Sequence, residues 1–453
     1  MRGNNKRQRK NSDESTEISI KMKKKISVWL AVAIVLLFGL ATFMTTYTVM
    51  SSVSQAKEAG SGTTGQSTAK PIDPVYTGDE TKNEYSDFVE KLADKIAEVD
   101  EIYRALYIDE LNDDELIDYT VAGYVAGTGD KYGAYYNAEE FADFTSDLKG
   151  EFAGIGVNVI YNADYKVIEV INVIENSPAE RAGILPGDLI ITAGEDKESV
   201  VDLGYYPAID KIRGEIGTYA TFTVARGENY EEEIEFSVIR ENVTSVTVMH
   251  HVYEPDPTIG IIKITEFQIP TSEQFVEAVE DLLSKGCEKL VVDLRYNPGG
   301  ELNSIVKTLN YIVPEGPIVH IKDADGNEVK TYYSNPDELD VPMAVLVNGS
   351  TASAAELFTS TVRDYNKAVI VGTTTYGKGC VQTTIELEHG GAVSVTYRMY
   401  DPPFSENYHG IGIIPDVEVE LNEELQTKSV FKITDEEDNQ LAAAVAALYD
   451  SAE

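Results

Sequence analysis

The sequence predicts a multidomain protein that combines an α+β part with an α/β part and carries a single N-terminal transmembrane helix. The chain has 453 residues and is 43% hydrophobic, which suits two to four domains with well-formed cores. Residues 26–48 are continuously uncharged and mostly apolar. From residue 259 onward, strand-like and helix-like runs alternate, which is typical of a largely parallel sheet.

The first 25 residues differ in charge from the rest of the chain. They contain nine basic and three acidic residues, a local charge of +6. The whole chain has 37 basic and 77 acidic residues and a formal net charge of −40, so −46 falls on the remainder. This acidity argues against a nucleic-acid partner, because proteins that bind nucleic acids neutralise phosphates with basic groups.

Residues 26–48 are long enough to span a bilayer as a helix. We expect an uncleaved anchor, since a signal peptide has a shorter apolar core, although the small residues at 51–56 weakly imitate a cleavage site. The preceding basic residues predict a cytoplasmic head at 1–25 and an extracytoplasmic remainder in a single-pass protein of the cell membrane. Residues 49–82, rich in Gly, Ser, Thr and Lys, are typical of a flexible linker.

A helical region is predicted over 83–147. Apolar residues recur at three- and four-residue steps from Phe88 to Leu106. A second helix is expected at about Asp113–Val125, with Asn112 or Asp113 as its N-cap. These helices, together with a helical tail predicted over 424–453, could join two subunits in a homodimer or pack on the core.

Two further regions follow the helices. Residues 148–240 form short strand-like runs with turn signals, interrupted by helical pieces at 178–183 and at about 206–213. Residues 241–423 alternate strand and helix before a β-rich end. Sites in open α/β sheets form outside the carboxyl ends of the strands, so functional residues are expected at the strand-to-helix turns.

Two of these turns carry residues suited to catalysis. The first follows a strand ending at Asp293 and contains Pro298-Gly299-Gly300, whose N–H groups suit an oxyanion hole; an ordinary loop is the alternative. The second places Ser353 in a first helical turn, where unpaired N–H groups favour a developing negative charge. Taken alone, Ser350, Thr351 and Ser353 are better explained as helix caps.

A serine nucleophile needs a base, and the sequence offers Lys378 rather than a histidine. The five histidines lie in no triad context, and neither a GxSxG nor an HExxH motif occurs. Burial lowers the pKa of a lysine from about 10.4 towards about 7 to 8, where its neutral amine accepts a proton. Residues 372–378 also match GxxxxGK, but a phosphate-binding loop continues with Ser or Thr and a helix, whereas Gly379 and a predicted strand follow here.

Three ordered motifs add to this evidence. They are Asp293-Leu294-Arg295-x-Asn297-Pro298-Gly299-Gly300, Ser350-x-Ala352-Ser353-Ala354-Ala355-Glu356 and Gly377-Lys378-Gly379-x-Val381-Gln382. In this order they resemble the carboxyl-terminal processing proteases, also called tail-specific proteases. The resemblance implies a ClpP/crotonase-like α/β protease core and a Ser-Lys dyad that needs no metal or organic cofactor.

The same resemblance implies roles for individual residues. Ser353 would be the nucleophile, Lys378 the general base 25 residues later, and Gln382 the residue that positions the lysine. The oxyanion hole would use the N–H groups of Ala354 and of Gly299 or Gly300.

Two positions depart from the residues common in that family. Thr351 stands where Ala or Ser is frequent and Cys380 where Thr is common, and neither change removes a catalytic function. Cys287 and Cys380 are better explained as small buried side chains than as a disulfide scaffold. A disulfide bond between them in an oxidising compartment is the alternative.

The region 148–240 resembles a PDZ domain. The residues that resemble its carboxylate-binding loop are Phe152, Ala153, Gly154, Ile155, Gly156 and Val157. Successive N–H groups in such a loop hold a terminal carboxylate while the peptide adds as a strand to the sheet edge. A structural Gly-rich hairpin is the alternative. Arg213 could couple this unit to the protease, as in some relatives, or form a salt bridge at a helix end.

Together these observations predict a membrane-anchored serine endopeptidase that binds exposed C-termini of protein substrates and cleaves upstream of them. One alternative is a non-catalytic, membrane-tethered PDZ scaffold. Another, suggested only by the strand–helix alternation, is an enzyme of acyl-thioester chemistry, but such an enzyme needs no lysine 25 residues after a serine.

Overall fold

The computed structural model of the protein describes residues 86–227, 229–426 and 428–450. The predicted head (1–25), anchor (26–48) and linker (49–82) lie outside these residues. Within the described ranges, no helix is long and apolar enough to cross a membrane. The described chain forms two compact units. The large unit contains Ala142–Gln382 and the chain from Thr396 onward, and the small unit contains the chain up to Phe141 and Thr383–Val395.

The small unit begins with the two helices that the sequence predicts. They are α1 (Ser86–Leu106) and α2 (Asp113–Gly127). The Oδ1 atom of Asn112 accepts hydrogen bonds from the N–H groups of Asp114 and Glu115 at 3.2 and 3.5 Å, so Asn112 is the N-cap. A short strand, β1 (Ala134–Tyr136), pairs with residues 392–394.

Helix α3 (Ala138–Lys149) leads into an antiparallel β-rich part of the large unit, residues 151–244, called the β unit below. Its strands are β2 (Glu151–Gly154), β3 (Val157–Asn162), β4 (Val167–Val173), β5 (Leu189–Ala193), β6 (Glu198–Ser199), β7 (Tyr219–Arg226), β8 (Glu232–Ile239) and β9 (Glu241–Thr244). Its helices are α4 (Pro178–Ala182), α5 (Val200–Leu203) and α6 (Tyr205–Ile212). The main sheet has the order β3-β4-β5-β7-β8, so β3 is an edge strand.

The central sheet of the large unit has the order β10-β11-β12-β15-β16-β19. Its strands are β10 (Val248–Val252), β11 (Ile259–Ile264), β12 (Lys289–Asp293), β15 (Met343–Val347), β16 (Ala368–Gly372) and β19 (Val417–Glu418). Only the pairing of β10 with β11 is antiparallel, which confirms the predicted, largely parallel sheet.

Helices cover both faces of this sheet. They are α7 (Thr271–Ser284), α8 (Leu302–Ile312), α9 (Ala354–Asp364) and α10 (Asn439–Asp450). Alternate strand residues divide between two cores: Val292 and Val345 belong to the core that includes α7, α8 and α9, whereas Val291 and Leu346 pack with α10. Burial on both faces explains why these strands are continuous apolar runs.

One hairpin was not predicted from the sequence. It consists of β13 (Gly316–Lys322) and β14 (Glu328–Ser334), whose second strand contains charged and polar residues with no clear apolar alternation. The predicted strand after Lys378 is present as β17 (Cys380–Glu386), followed by β18 (Ala392–Asp401), so the phosphate-binding loop is excluded. Cys287 and Cys380 are both buried and are not joined in a disulfide, as expected of small core side chains.

A buried ion-pair network connects the end of β12 to the start of α10. Asp293 accepts hydrogen bonds from Arg295 Nε at 2.9 Å and from Lys263 Nζ at 2.8 Å. Arg295 also donates to Asp438 Oδ2 at 2.7 Å and to Gln440 Oε1 at 3.0 Å. Asp438 in turn caps α10 by accepting from the Gln440 N–H. The C-terminal helix is therefore tied to the turn that follows Arg295.

We predict that this network contributes stability that is lost in acid. Burial alone would raise the pKa of Asp293, but Arg295 and Lys263 outweigh burial and hold it well below its usual range. The folded pKa is thus below the unfolded value of about 3.9, so the contribution is present above about pH 5 and declines as the pH falls through and below 4. In urea unfolding, the difference in unfolding free energy between the wild type and Asp293→Asn should narrow from pH 6 to pH 3. A difference in unfolding free energy that is the same at pH 6 and pH 3 would contradict a lowered pKa of Asp293 in this network.

Candidate active site

Ser353 lies at the end of a tight turn that follows the buried strand β15. The Oδ1 atom of Asn348 accepts from the Ser350 N–H at 3.1 Å, and the Asn348 carbonyl accepts from the Thr351 N–H at 2.8 Å. The Thr351 hydroxyl donates to the Leu294 carbonyl at 2.9 Å, so Thr351 is structural. These bonds fix the turn before α9 begins at Ala354.

The backbone of Ser353 is strained. Its φ is 55° and its ψ is −119°, a region that residues other than glycine rarely adopt. Such a conformation costs about 1–3 kcal/mol and persists only where the surroundings enforce it, typically at functional sites. An ordinary N-cap has an extended backbone, so capping alone does not explain this conformation.

Lys378 lies on a loop that packs closely against a second segment, residues 407–412. Its side chain is fully buried, which is rare for lysine. A Cβ at Gly377 would lie 2.8 Å from the Gly412 nitrogen, and a Cβ at Gly379 would overlap Asn407 Oδ1. Glycine is therefore needed on both sides of the lysine, because only glycine admits the segment 407–412 at this distance.

One carboxylate connects the serine turn to the lysine loop. Glu356, in the first turn of α9, accepts from the N–H groups of Ser353 at 3.0 Å and Lys378 at 2.8 Å. It also accepts from the Thr375 hydroxyl at 2.5 Å and the Gly377 N–H at 2.6 Å. Burial raises the pKa of Glu356, and the four donors oppose that rise. This carboxylate brings Ser353 and Lys378 together.

Asn297 joins the Pro-Gly-Gly turn to the serine turn. Its side-chain nitrogen donates to the Ile264 carbonyl at 2.8 Å, and its backbone carbonyl accepts from the Ala352 N–H at 3.0 Å. Its Oδ1 accepts from the Gly299 N–H at 2.8 Å. The Gly299 N–H therefore already has an acceptor in this structure, and its role as an oxyanion donor stays a prediction.

Gly299 lies directly against Ser353. A Cβ at this position would be 2.7 Å from the Ser353 Cβ and 2.8 Å from the Ala354 nitrogen. No acceptor for the Ala354 N–H is found in the described part of the chain. Gly300 forms an isolated parallel bridge with Phe267, where a Cβ would overlap the Phe267 carbonyl. Both glycines therefore allow close backbone approach beside Ser353.

Gln382 is buried on β17 and faces two polar side chains. Its Nε2 atom donates to Cys380 Sγ at 3.4 Å and to Thr396 Oγ1 at 3.2 Å. Its Oε1 atom is buried and has no hydrogen-bond partner in the described residues. An unpaired buried acceptor is unfavourable, so a donor is expected to reach it in some state of the enzyme.

The predicted carboxylate-binding loop spans the junction of β2 and β3. Phe152, Ala153 and Gly154 pair with β9, Ile155 and Gly156 form the turn, and Val157 opens β3. The Ile155 and Gly156 carbonyls accept from the N–H groups of Ala179 at 2.7 Å and Ile174 at 3.0 Å. Within the described ranges, the N–H groups of Ile155 and Gly156 have no acceptor.

Arg213 lies exposed at the C-terminal end of α6. Burial raises the pKa of Asp147 and of Tyr205, and the nearby Arg213 charge partly offsets both rises. Asp147 is in α3 and Tyr205 begins α6. Arg213 thus lies between the β unit and the helix that precedes it, and it forms no salt bridge in the described chain.

Sequence reasoning missed the roles of Glu356, Asn297 and the segment 407–412. Glu356 had a usable signal, because a Ser followed three residues later by Glu is a capping-box pattern. Asn297 and the segment 407–412 act through contacts with parts of the chain far away in sequence. No local pattern could have indicated those contacts.

The chain is similar to known proteins over most of its length. Residues 258–419 match peptidase family S41. A probable CtpA-like serine protease of Staphylococcus aureus strain MRSA252 is 34% identical over 355 residues, covering 76% of this chain and 69% of the relative. The similarity therefore includes most of the β unit as well as the protease region.

Two solved structures are also similar. An S41 protease from Bacteroides fragilis NCTC 9343 aligns over 78% of this chain and 95% of its own, with a TM-score of 0.50 and 16% identity. The photosystem II D1 C-terminal processing protease aligns over 71% and 86%, with a TM-score of 0.42 and 25% identity. The chain belongs to peptidase family S41, with the CtpA-like serine proteases among its relatives, and is a serine-type peptidase.

Proposed function

We propose that the protein is a membrane-anchored serine endopeptidase that uses Ser353 and Lys378 as a catalytic dyad and selects substrates by their C-termini. The observation that carries the proposal is the Glu356 carboxylate, which binds the backbone N–H groups of both residues at 3.0 and 2.8 Å. A shared, buried anchor of this kind holds a nucleophile and a base in fixed relation.

In the proposed reaction, Ser353 Oγ attacks the carbonyl carbon of the scissile peptide bond while the neutral Lys378 amine accepts the hydroxyl proton. Collapse of the tetrahedral intermediate breaks the C–N bond, and Lys378 returns the proton to the leaving amine. A water molecule, deprotonated by Lys378, then hydrolyses the acyl-enzyme. Full burial of the lysine side chain supports this role, because removal from water disfavours the ammonium form.

The oxyanion of the intermediate is proposed to bind the Ala354 N–H, at the positive end of the α9 dipole. The absent side chain of Gly299 leaves this N–H accessible, since a Cβ there would lie 2.8 Å from the Ala354 nitrogen. Gly300 stays the predicted second donor. Gln382 is proposed to position Lys378 by accepting from its amine through the unpaired Oε1 atom.

The β unit is proposed to act as a PDZ-like reader of C-terminal carboxylates. Two features support this: the N–H groups of Ile155 and Gly156, for which the described residues offer no acceptor, and the edge strand β3 that begins beside them. A peptide carboxylate would satisfy these donors while the peptide adds to β3 as a further strand. Arg213 lies at the end of the neighbouring helix α6. We propose that it couples binding of a peptide in the β unit to the activity of the protease region.

The sequence is the basis for proposing that the protein is attached to the membrane and that its protease region lies outside the cytoplasm. The apolar segment 26–48 and the basic residues before it support an anchor with a cytoplasmic head. A homodimer is proposed from the small unit, where α1 and α2 expose large apolar side chains such as Ile102 and Tyr119.

The dyad predicts that Ser353→Ala and Lys378→Ala each lower the cleavage rate at least about a thousandfold, because nucleophile and base act as one unit. The full chain, purified in detergent, would be incubated with an unstructured protein that has an apolar C-terminus, and fragments followed by mass spectrometry. Equal cleavage by the wild type and both variants would disprove the dyad. No cleavage by any of them would favour the non-catalytic scaffold.

Gly299→Ala should lower kcat about a hundredfold, because the added Cβ blocks the Ala354 N–H at 2.8 Å. Gly326→Ala is a matched control: Gly326 also has a positive φ, of 83°, but nothing lies within 4 Å of its Cβ position. Gly299→Ala should lose more stability than Gly326→Ala in urea unfolding, because its Cβ also meets backbone atoms at 2.8 Å, and among folded protein only Gly299→Ala should lose activity. Comparable kcat values in the two variants would refute the assigned oxyanion site.

Glu356→Gln should lower kcat about 10- to 100-fold, since an amide presents N–H groups to N–H donors and leaves some of them unpaired. Asp188→Asn controls for the loss of a buried carboxylate: Asp188 accepts from the Leu185 N–H at 2.9 Å, within the β unit. It should reduce stability while kcat at saturating substrate stays near the wild-type value. If the Glu356→Gln enzyme has a normal kcat and lowered stability, the role of Glu356 is structural only.

A further inference from the structure

Each backbone N–H and C=O group of residues 377–379, which include the proposed base, has a hydrogen-bond partner in the structure. Two of the three N–H groups bind the Glu356 carboxylate, and the third, that of Gly379, donates to His409 Nδ1 at 3.2 Å. The three carbonyls accept from one stretch of chain: from the Tyr400 hydroxyl at 2.6 Å, Asn407 Nδ2 at 3.1 Å and the Gly410 N–H at 2.8 Å. The position of the base depends on these partners, and one of them is an imidazole.

The bond from Gly379 defines the protonation state of His409. An imidazole nitrogen accepts a hydrogen bond only when it carries no proton, so Nδ1 is bare and the proton of the neutral ring is on Nε2. In an imidazolium both ring nitrogens carry protons, so Nδ1–H would face the Gly379 N–H across 3.2 Å. Protonation of His409 thus replaces a hydrogen bond with a contact between two donors.

Burial differs between the two ends of this bond. Gly379 is buried, so water does not readily replace a lost acceptor, and an unpaired buried N–H is costly. His409 is exposed, so its ring exchanges protons with the solvent. The loop cannot relax towards the segment 407–412, because a Cβ at Gly377 would already lie 2.8 Å from the Gly412 nitrogen. A loop that loses this bond is therefore expected to move away and displace Lys378.

Asn407 holds the imidazole in register with the Gly379 peptide. Its Oδ1 accepts from the His409 N–H at 2.6 Å, while its Nδ2 donates to the Gly379 carbonyl at 3.1 Å and to Asp401 Oδ1 at 2.8 Å. Asn407 and His409 therefore bind the C=O and the N–H of one residue, next to the proposed base.

Charged and titratable groups on several elements surround this segment. On the segment itself they are Glu406 and Tyr408, and on the elements that pack against it they are Glu356, Lys378, Cys380, Tyr400 and Asp401. Asp401 is paired with Lys322, and four donors bind Glu356, so both carboxylates are compensated. Proton binding by His409 is therefore sought around the ordinary imidazole pKa of about 6.5.

We infer that His409 is a positioning residue for the proposed base: its neutral imidazole holds the Gly379 peptide and with it Lys378, and its protonation releases them. The inference rests on the proposed Ser353–Lys378 dyad. It implies that acid removes activity through two protons, one on Lys378 and one on His409, whereas a lysine base alone accounts for one.

The test compares the pH profiles of kcat/KM for the full chain and for His409→Asn, on an unstructured, histidine-free protein with an apolar C-terminus. The Asn Oδ1 stands in the place of Nδ1 on Cγ, accepts from an N–H and does not titrate. Between pH 5 and 6, log kcat/KM should rise with a slope approaching about 2 in the wild type and about 1 in His409→Asn. Relative to pH 8, the wild type should lose about five- to tenfold more activity than the variant at pH 5.5.

Two further variants separate the acceptor from the mere loss of a histidine. His409→Leu removes the acceptor at every pH, so it should lower kcat/KM at least about tenfold at pH 8 and show the shallow acid slope of His409→Asn. His251→Asn is the matched control, because His251 is also exposed but lies on β10, with its Nε2 2.8 Å from Asp435 Oδ2. It should keep the wild-type profile.

Hydrogen exchange followed by mass spectrometry gives a readout that does not need activity. After correction for the intrinsic pH dependence of exchange, peptides that contain Gly379 should lose protection between pH 7.5 and pH 5.5 in the wild type. In His409→Asn their protection should stay the same.

The outcomes separate this inference from the proposed function. Equal acid slopes in the wild type and His409→Asn would overturn the role of His409 and leave the dyad to be judged by Ser353→Ala and Lys378→Ala. If the wild type cleaves nothing at any pH, the dyad proposal fails, and hydrogen exchange decides whether His409 holds residues 377–379. Protection that responds to pH equally in both chains would overturn that hold.

Discussion

The hydrogen bonds to the Glu356 carboxylate hold two distant chain segments together, and the geometry of the candidate site depends on them. Four donors from Ser353, Thr375, Gly377 and Lys378 share its two oxygens. Hydrogen bonds to a charged, buried acceptor are worth about 1.5–3 kcal/mol each, enough to offset the strained backbone of Ser353. A buried carboxylate is stable only when its oxygens accept enough hydrogen bonds, as the oxygens of Glu356 do here. The four hydrogen bonds are therefore interdependent.

A second constraint is the close approach of backbones around Ser353. Gly299 touches the start of α9, and Gly377 and Gly379 admit the segment 407–412 against the lysine loop. Asn297 ties these turns to the end of β11 through the Ile264 carbonyl. The Arg295 network then connects the same turn to the C-terminal helix α10. The site is therefore rigid, because each turn has partners in other elements.

The sequence predicted those elements whose residues are buried on a regular face. Strands such as β15 and β16 are apolar throughout because helices cover both sides of the sheet. It failed where a feature depends on contacts across the chain: the polar hairpin β13–β14, the role of Asn297, and the engagement of the Gly299 N–H. The motif around Ser353 contained Glu356, but spacing alone shows only that a glutamate can reach the serine N–H, not that a second loop binds the same carboxylate.

The proposed recognition and the proposed catalysis both use backbone N–H groups that have no acceptor in the described residues. They use these groups for two different purposes. At Ile155 and Gly156 such groups would hold a charge that the substrate already has, which contributes to binding. At Ala354 the N–H would meet a charge that appears only in the transition state, which contributes to rate. A chain with a net charge of −40 cannot attract an anionic C-terminus over long distances. Short-range N–H dipoles at Ile155 and Gly156 are therefore the means of selection on which the proposed recognition would depend.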